Sequence, residues 1–147
     1  MMNVLIVEGS KRDRQEMVEA LMQVEGIAVH GALPDLRTAL VVLGESATDV
    51  VVTGVQLEDG DSLQLIEATR RVDRTLPIVV VGDTPTRSVW LRHLEAGADR
   101  FVARDRELRE LQDVVTSLAR LPRMQSAPDP LRLIGRLASG VAHDLNN

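Results

Sequence analysis

Cysteine is absent from this 147-residue sequence, which excludes disulfides and thiolate metal sites and fits a cytoplasmic protein. Aromatic residues are almost absent as well. Trp90 and Phe101 are the only two, too few to build the stacking platforms that single-stranded nucleic acids need. Lysine is reduced to Lys11, and arginine supplies the remaining positive charge. The net charge of −5 leaves no basic footprint, so no nucleic-acid partner is expected. No apolar run approaches the roughly 18 residues that span a bilayer, so no membrane segment is expected. The first residues, Met1-Met-Asn-Val-Leu-Ile-Val-Glu8, carry no basic stretch ahead of their short apolar run and read as a strand, not a secretory signal. The length suits one ordinary domain with a short extension.

Five short apolar runs alternate with helix-like segments. The strands are expected over residues 4–7, 27–29, 50–53, 78–81 and 101–103. The first, third and fourth are nearly continuous apolar runs, as strands buried on both faces of a parallel sheet should be. Helices are expected over 11–23, 33–44, 62–72, 86–95 and 106–121, where apolar residues recur at helical spacing. Ser10 is placed to cap the first, and Trp90 and Leu94 read as core positions of the fourth. Five such units in this order predict an open, doubly wound α/β sheet. The strand order is not legible, although 2-1-3-4-5, the flavodoxin-like order, is a common solution.

After Leu121 the character changes. Pro122, Ser126, Pro128, Asp129 and Pro130 make a linker over 122–130 that cannot continue the preceding helix. Asp129-Pro130 then supplies an N-cap and a proline at the first helical position. Ile134, Leu137, Val141 and Leu145 fall on one stripe of a helix expected over 131–147. A helix of that length is marginal alone in water and is expected to need a partner.

The functional crevice of an open α/β sheet lies at the carboxyl ends of its strands. Those ends are Glu8-Gly9, Gly54, Gly82-Asp83 and Arg104-Asp105. Several segments around them, in order and at the right spacing, resemble the receiver domains of two-component signalling: Val4-Leu-Ile-Val-Glu8, Leu57-Glu-Asp-Gly-Asp-Ser-Leu63, Pro77-Ile-Val-Val-Val81 and Ala96-Gly-Ala-Asp-Arg-Phe-Val-Ala-Arg104. The resemblance covers residues 1–121 and implies a five-stranded receiver fold. In that family an aspartate ending the third strand accepts a phosphoryl group, with acidic oxygens holding magnesium and a hydroxyl and a lysine contacting the phosphoryl oxygens. Here the departures fall on those positions. The acidic pair is Glu8 beside Gly9, the acceptor is Gly54, the hydroxyl residue is Gly82, and the lysine is Arg104. The expectation is a degenerate receiver, or pseudo-receiver, with no metal and no aspartyl phosphate. Asp59 and Asp61, in the loop after Gly54, remain as poorly placed nucleophiles, and Asp49 should sit at the opposite end of its strand. Glu8 is expected as a half-exposed acid. Arg104 either pairs with Glu8 or Asp83 as a structural ion pair or is simply solvated.

The segment Gly135-Arg-Leu-Ala-Ser-Gly-Val-Ala-His-Asp-Leu-Asn-Asn147 resembles the first helix of a histidine-kinase dimerisation domain. That resemblance implies that His143 is the phosphoacceptor, Asp144 its hydrogen-bond partner or base, and Asn147 a positioning residue one turn later. It further implies that ATP and magnesium belong to a kinase domain beyond this chain, so no cofactor is expected here. On this reading the chain is part of a longer histidine kinase and is not itself an enzyme. His30 and His93 have no partners in sequence and read as surface or half-buried residues.

The expected function is regulatory, through protein contacts. The partners would be a second copy, joined through the kinase helix or the receiver-like domain, and a downstream response regulator or phosphotransfer protein. The resemblance implies a contact face on the fourth helix, fifth strand and fifth helix, here Trp90, Leu91, Leu94, Arg100, Arg106 and Arg109. An alternative is a ligand-sensing module in which Arg87, Arg92, Arg100 and Arg104 bind an anionic small molecule such as a cyclic dinucleotide. A third reading, a stand-alone α/β enzyme, has Glu8, Asp83 and Arg104 to draw on but no evident nucleophile.

Overall fold

The computed structural model describes residues 1–83, 86–105 and 107–120. The expected linker and kinase helix, with His143, Asp144 and Asn147, lie outside them. The main sheet contains β1 (Met2–Val7), β2 (Ile27–Leu33), β3 (Val50–Gly54), β6 (Ile78–Gly82) and β7 (Arg100–Ala103). Their order is β2-β1-β3-β6-β7, and every pairing is parallel. Counted along the main sheet alone this is 2-1-3-4-5, the flavodoxin-like order.

Alternate residues of each central strand face opposite layers, as the two-residue period of a strand requires. Val4, Ile6, Val52, Val79 and Val81 meet Met17 and Leu21 of α1 (Lys11–Met22) and Leu111 and Val115 of α5 (Arg109–Arg120). Leu5, Val7, Val51, Ile78 and Val80 meet Ala39 of α2 (Leu36–Glu45) and Leu65 and Ile66 of α3 (Ser62–Val72). α4 (Arg87–Ala96) closes that second face beside α3 and β7.

Local chemistry sets the boundaries. Ser10, Asp35, Asp61 and Thr86 each accept a backbone N–H at the start of a helix, satisfying donors that the helix cannot. Asp61 and Gln64 complete a reciprocal capping box on α3. The second strand runs four residues past its expected end, so α2 begins at Leu36, not at residue 33. Pro34 and the Asp35 cap separate the two. The register between β1 and β2 shifts after Val4, leaving His30 as the extra residue, and His30 Nε2 lies 3.0 Å from Thr48 Oγ1. A two-residue hairpin, β4 (Gln56–Leu57) with β5 (Gly60–Asp61), was not expected from the sequence.

Trp90 and His93 exchange their expected places. Trp90 is 46% exposed, whereas His93 is buried and Leu94 is half-buried. His93 reaches the inner face because its ring has partners there, described below.

Candidate functional site

β1, β3, β6 and β7 all end on one edge of the sheet, and their last residues build the crevice. Glu8 follows β1 directly. Its side chain does not lie half-exposed at the rim: it is buried and turned over Gly54. A β-carbon built on Gly54 would come within 2.6 Å of the Glu8 carboxyl carbon and closer still to Oε1. The carboxylate of Glu8 thus occupies the space that any side chain at position 54 would need. Gly9 has no more room. A β-carbon there would lie 2.8 Å from the Gln56 carbonyl oxygen and 3.2 Å from Leu57 Cα, because the Gly9 N–H donates to that carbonyl at 3.1 Å.

Gly82 ends β6 in a similar vacancy, filled from β7. A β-carbon on it would meet Phe101 Cζ at 2.7 Å. The Phe101 ring stands edge-on to His93, with centroids 5.1 Å apart and planes at 78°, an arrangement favoured by the aromatic quadrupole. His93 Nδ1 lies 2.8 Å from the Val89 carbonyl, which can only accept, so that nitrogen carries the proton. Nε2 lies 2.7 Å from Ser62 Oγ. The pair has the spacing of a nucleophile and its base, but Ser62 and His93 are both buried and present no face to a substrate. Sequence reasoning missed it because Ser62 and His93 meet only where α3 packs on α4.

Arg104 bridges the crevice. Its guanidinium lies 3.6 Å from Glu8 Oε1, 3.7 Å from Asp13 Oδ1, 3.4 Å from Glu16 Oε2 and 3.6 Å from Asp83 Oδ1. Of the two arrangements open to the sequence, pairing is the one observed, and with both Glu8 and Asp83. Asp13 and Glu16 were not anticipated, although their spacing of three on α1 puts them on one helix face. Arg104 Nη2 is buried and has no hydrogen-bond partner among the described residues. Burial pushes the Glu8 carboxyl up from its ordinary value. The Ser10 N–H lowers it again, Asp13 raises it, and Arg104 lowers it.

The remaining acids have structural work. Asp59 accepts the N–H groups of Leu36 at 2.6 Å and Arg37 at 3.0 Å, and the Leu36 bond leads in holding its carboxyl below the usual range. Asp61 caps α3. Asp49, at the far end of β3 as expected, accepts from Asn3 N at 2.7 Å. A receiver's magnesium needs several oxygens converging on one point. Here the crevice acids are spread around a guanidinium, and among the described residues no three acidic or imidazole groups are placed to hold a metal. The residues present do not fit that ion.

A model of the response regulator receiver domain matches residues 4–116. KdpE of Escherichia coli, the KDP operon transcriptional regulatory protein, is 30% identical over 131 residues, covering 89% of this chain and 57% of that protein. PhoP of Salmonella typhimurium, a virulence transcriptional regulatory protein, is 31% identical over 123 residues, with 82% and 53% covered. The chain therefore spans about half the length of these curated relatives. Among solved structures, a two-component response regulator from Clostridium difficile superposes with a TM-score of 0.73 at 25% identity, covering 86% of this chain and 100% of that one. The non-phosphorylated HemR receiver domain of Leptospira biflexa gives 0.73 at 24%, covering 84% and 98%. The sheet order, the crevice and this match together place the chain in the response regulator receiver domain family.

Proposed function

We propose that this is a pseudo-receiver: a receiver domain that regulates through protein contacts and does not take a phosphoryl group on aspartate. One observation carries the reading. The acceptor position is a glycine, and the carboxylate of Glu8 fills the space above it. Phosphoryl transfer to a carboxylate needs a nucleophilic oxygen open to the donor and cationic help for the developing charge. Here the one carboxylate at that point is buried beneath Arg104, and Asp59 and Asp61 are engaged at helix ends. Incubation with acetyl phosphate and magnesium should leave the intact mass unchanged. Stoichiometric addition mapped to Asp59 or Asp61 would defeat the proposal.

The contact face is α4. Trp90 and Leu91 are 46% and 43% exposed, and Arg87 and Arg92 of the same helix and Arg100 of β7 are exposed as well. An aromatic anchor with arginines at its rim has the composition of a protein-binding patch. Arg109, at the start of α5, is held 2.6 Å from Glu107. Arg106 lies outside the described residues.

The motif around His143, Asp144 and Asn147 supports placing this domain ahead of a histidine-kinase dimerisation helix, with ATP and magnesium on the kinase's own catalytic domain. The curated relatives are transcriptional regulators, so this placement rests on the motif alone. The anionic-ligand alternative has less support, since Arg104, its central cation, already sits among four carboxylates.

A further inference from the structure

Two arginines of this domain are almost equally buried, and they are held in opposite ways. Arg70, with its side chain 16% exposed, donates to the carbonyls of Gly97, Asp73 and Leu76 and to Asp99 at 2.7–3.0 Å. Arg104, 14% exposed, has four carboxylate neighbours and none closer than 3.4 Å. Its sole side-chain hydrogen bond among the described residues is the long one to Glu16, and its buried Nη2 has none. A guanidinium presents five donors in a rigid fork that suits close, bidentate pairing. Arg104 is shared among partners and committed to none.

The partners differ in depth. Glu8 lies inside, with its side chain 9% exposed, whereas Asp13, Glu16 and Asp83 stand at the rim at 35%, 44% and 85%. We propose that Arg104 is a two-position latch: turned inward it pairs with Glu8 and holds that carboxylate in the space above Gly54, and turned outward it keeps the rim carboxylates alone. This rests on the pseudo-receiver reading, in which the crevice controls contacts by its shape. The groups facing Glu8 are Asp13 and the Ser10 N–H from the start of α1, Arg14, whose Nη1 donates to the Glu8 carbonyl at 2.8 Å, and Arg104 from the end of β7. Asp83 and Glu16 reach it only through Arg104. Burial already favours the neutral form of Glu8, so proton uptake in mild acid removes the inward partner and leaves the outer three. A methyl group at position 54 would expel the carboxylate by contact, with no change in charge.

The test follows the Arg104 guanidinium and the Glu8 carboxyl by NMR in the full chain, with nitrogen-labelled arginine and carbon-labelled glutamate. In the wild type the Arg104 signals should shift along the Glu8 titration. Glu8→Gln and Gly54→Ala should each show the acid-form Arg104 signals at neutral pH, and the double variant should add nothing to either. Arg104 signals indifferent to the Glu8 titration, or two substitutions whose effects sum, would overturn the latch. The wild-type titration needs no variant to fold. Mass gain from acetyl phosphate, measured on the same sample, tests the pseudo-receiver reading separately, so failure of one is distinguishable from failure of the other.

Discussion

Two carboxylates of this domain have folded-state proton affinities displaced in opposite directions, and their pH dependences should differ accordingly. Glu8 is raised above 4.5, chiefly by burial. Its contribution to stability is complete below the unfolded value and is lost as pH rises through the raised one. Asp59 is lowered below 3.8, with its bond from the Leu36 N–H as the leading cause. Its contribution is present above that value and is lost as pH falls through the lowered one. The two together place their combined optimum on the acid side of neutrality. Glu8→Gln keeps the shape and discards the charge. It should leave the melting temperature at about pH 7.5 equal to or above that of the wild type, and flatten the fall in stability between mild acid and neutrality. Thermal melts across about pH 4–8 check both parts, and an unchanged pH slope in the variant would count against a buried, proton-binding Glu8. The identities of Glu8, Gly54, Gly82 and Arg104 marked the crevice in the sequence. The burial of Glu8 did not show there, because the room it takes is made by a glycine on another strand.

At the scale of elements, the capping residues and the filled glycine at 82 make separable predictions. Asp61→Ala removes the side-chain half of the capping box on α3 and should cost about 0.5–2 kcal/mol, read from denaturant melts. Gly82→Ala drives a β-carbon into the Phe101 ring. Overpacking of this kind costs about 1–3 kcal/mol, and the ring is packed edge-on against His93 of α4. Trp90 is the sole tryptophan and sits on that helix. The Gly82→Ala variant should therefore shift tryptophan emission, whereas Asp61→Ala should leave it in place. The five main strands were legible as short apolar runs, and the five helices by apolar residues recurring at helical spacing. The hairpin at 56–61 was not, since two residues per strand carry no period. Trp90 was misplaced because an apolar residue at helical spacing fits a core stripe equally well on the page. Its true neighbour inside, His93, depends on contacts with Ser62 and Phe101 that no local pattern reveals.

For the whole molecule, the sheet is fastened at both ends by arginine. Arg70 joins α3 to the turns before β6 and β7, and its partner Asp99 also accepts the Ile78 N–H at 2.7 Å. Arg104 closes the opposite edge more loosely. Arg70→Gln strands buried carbonyls and should cost about 1–3 kcal/mol, while Arg104→Gln should cost less. Reversal of that order in denaturant melts would remove the distinction between fixed and movable ends. If the chain pairs as expected, light scattering with and without residues 122–147 should show a dimer, and one that falls to a monomer on deletion would place assembly in that segment. A dimer that survives would place assembly on the receiver domain itself. The filling of position 54 by Glu8 also bears on what a substitution there can do. Placing an aspartate at 54 alone would set one carboxylate against another in a buried crevice, and Gly54→Asp should be destabilised and fail to accept a phosphoryl group. Position 54 and Glu8 are therefore coupled: any side chain at 54 and the Glu8 carboxylate compete for one space, so a change at either is felt at the other.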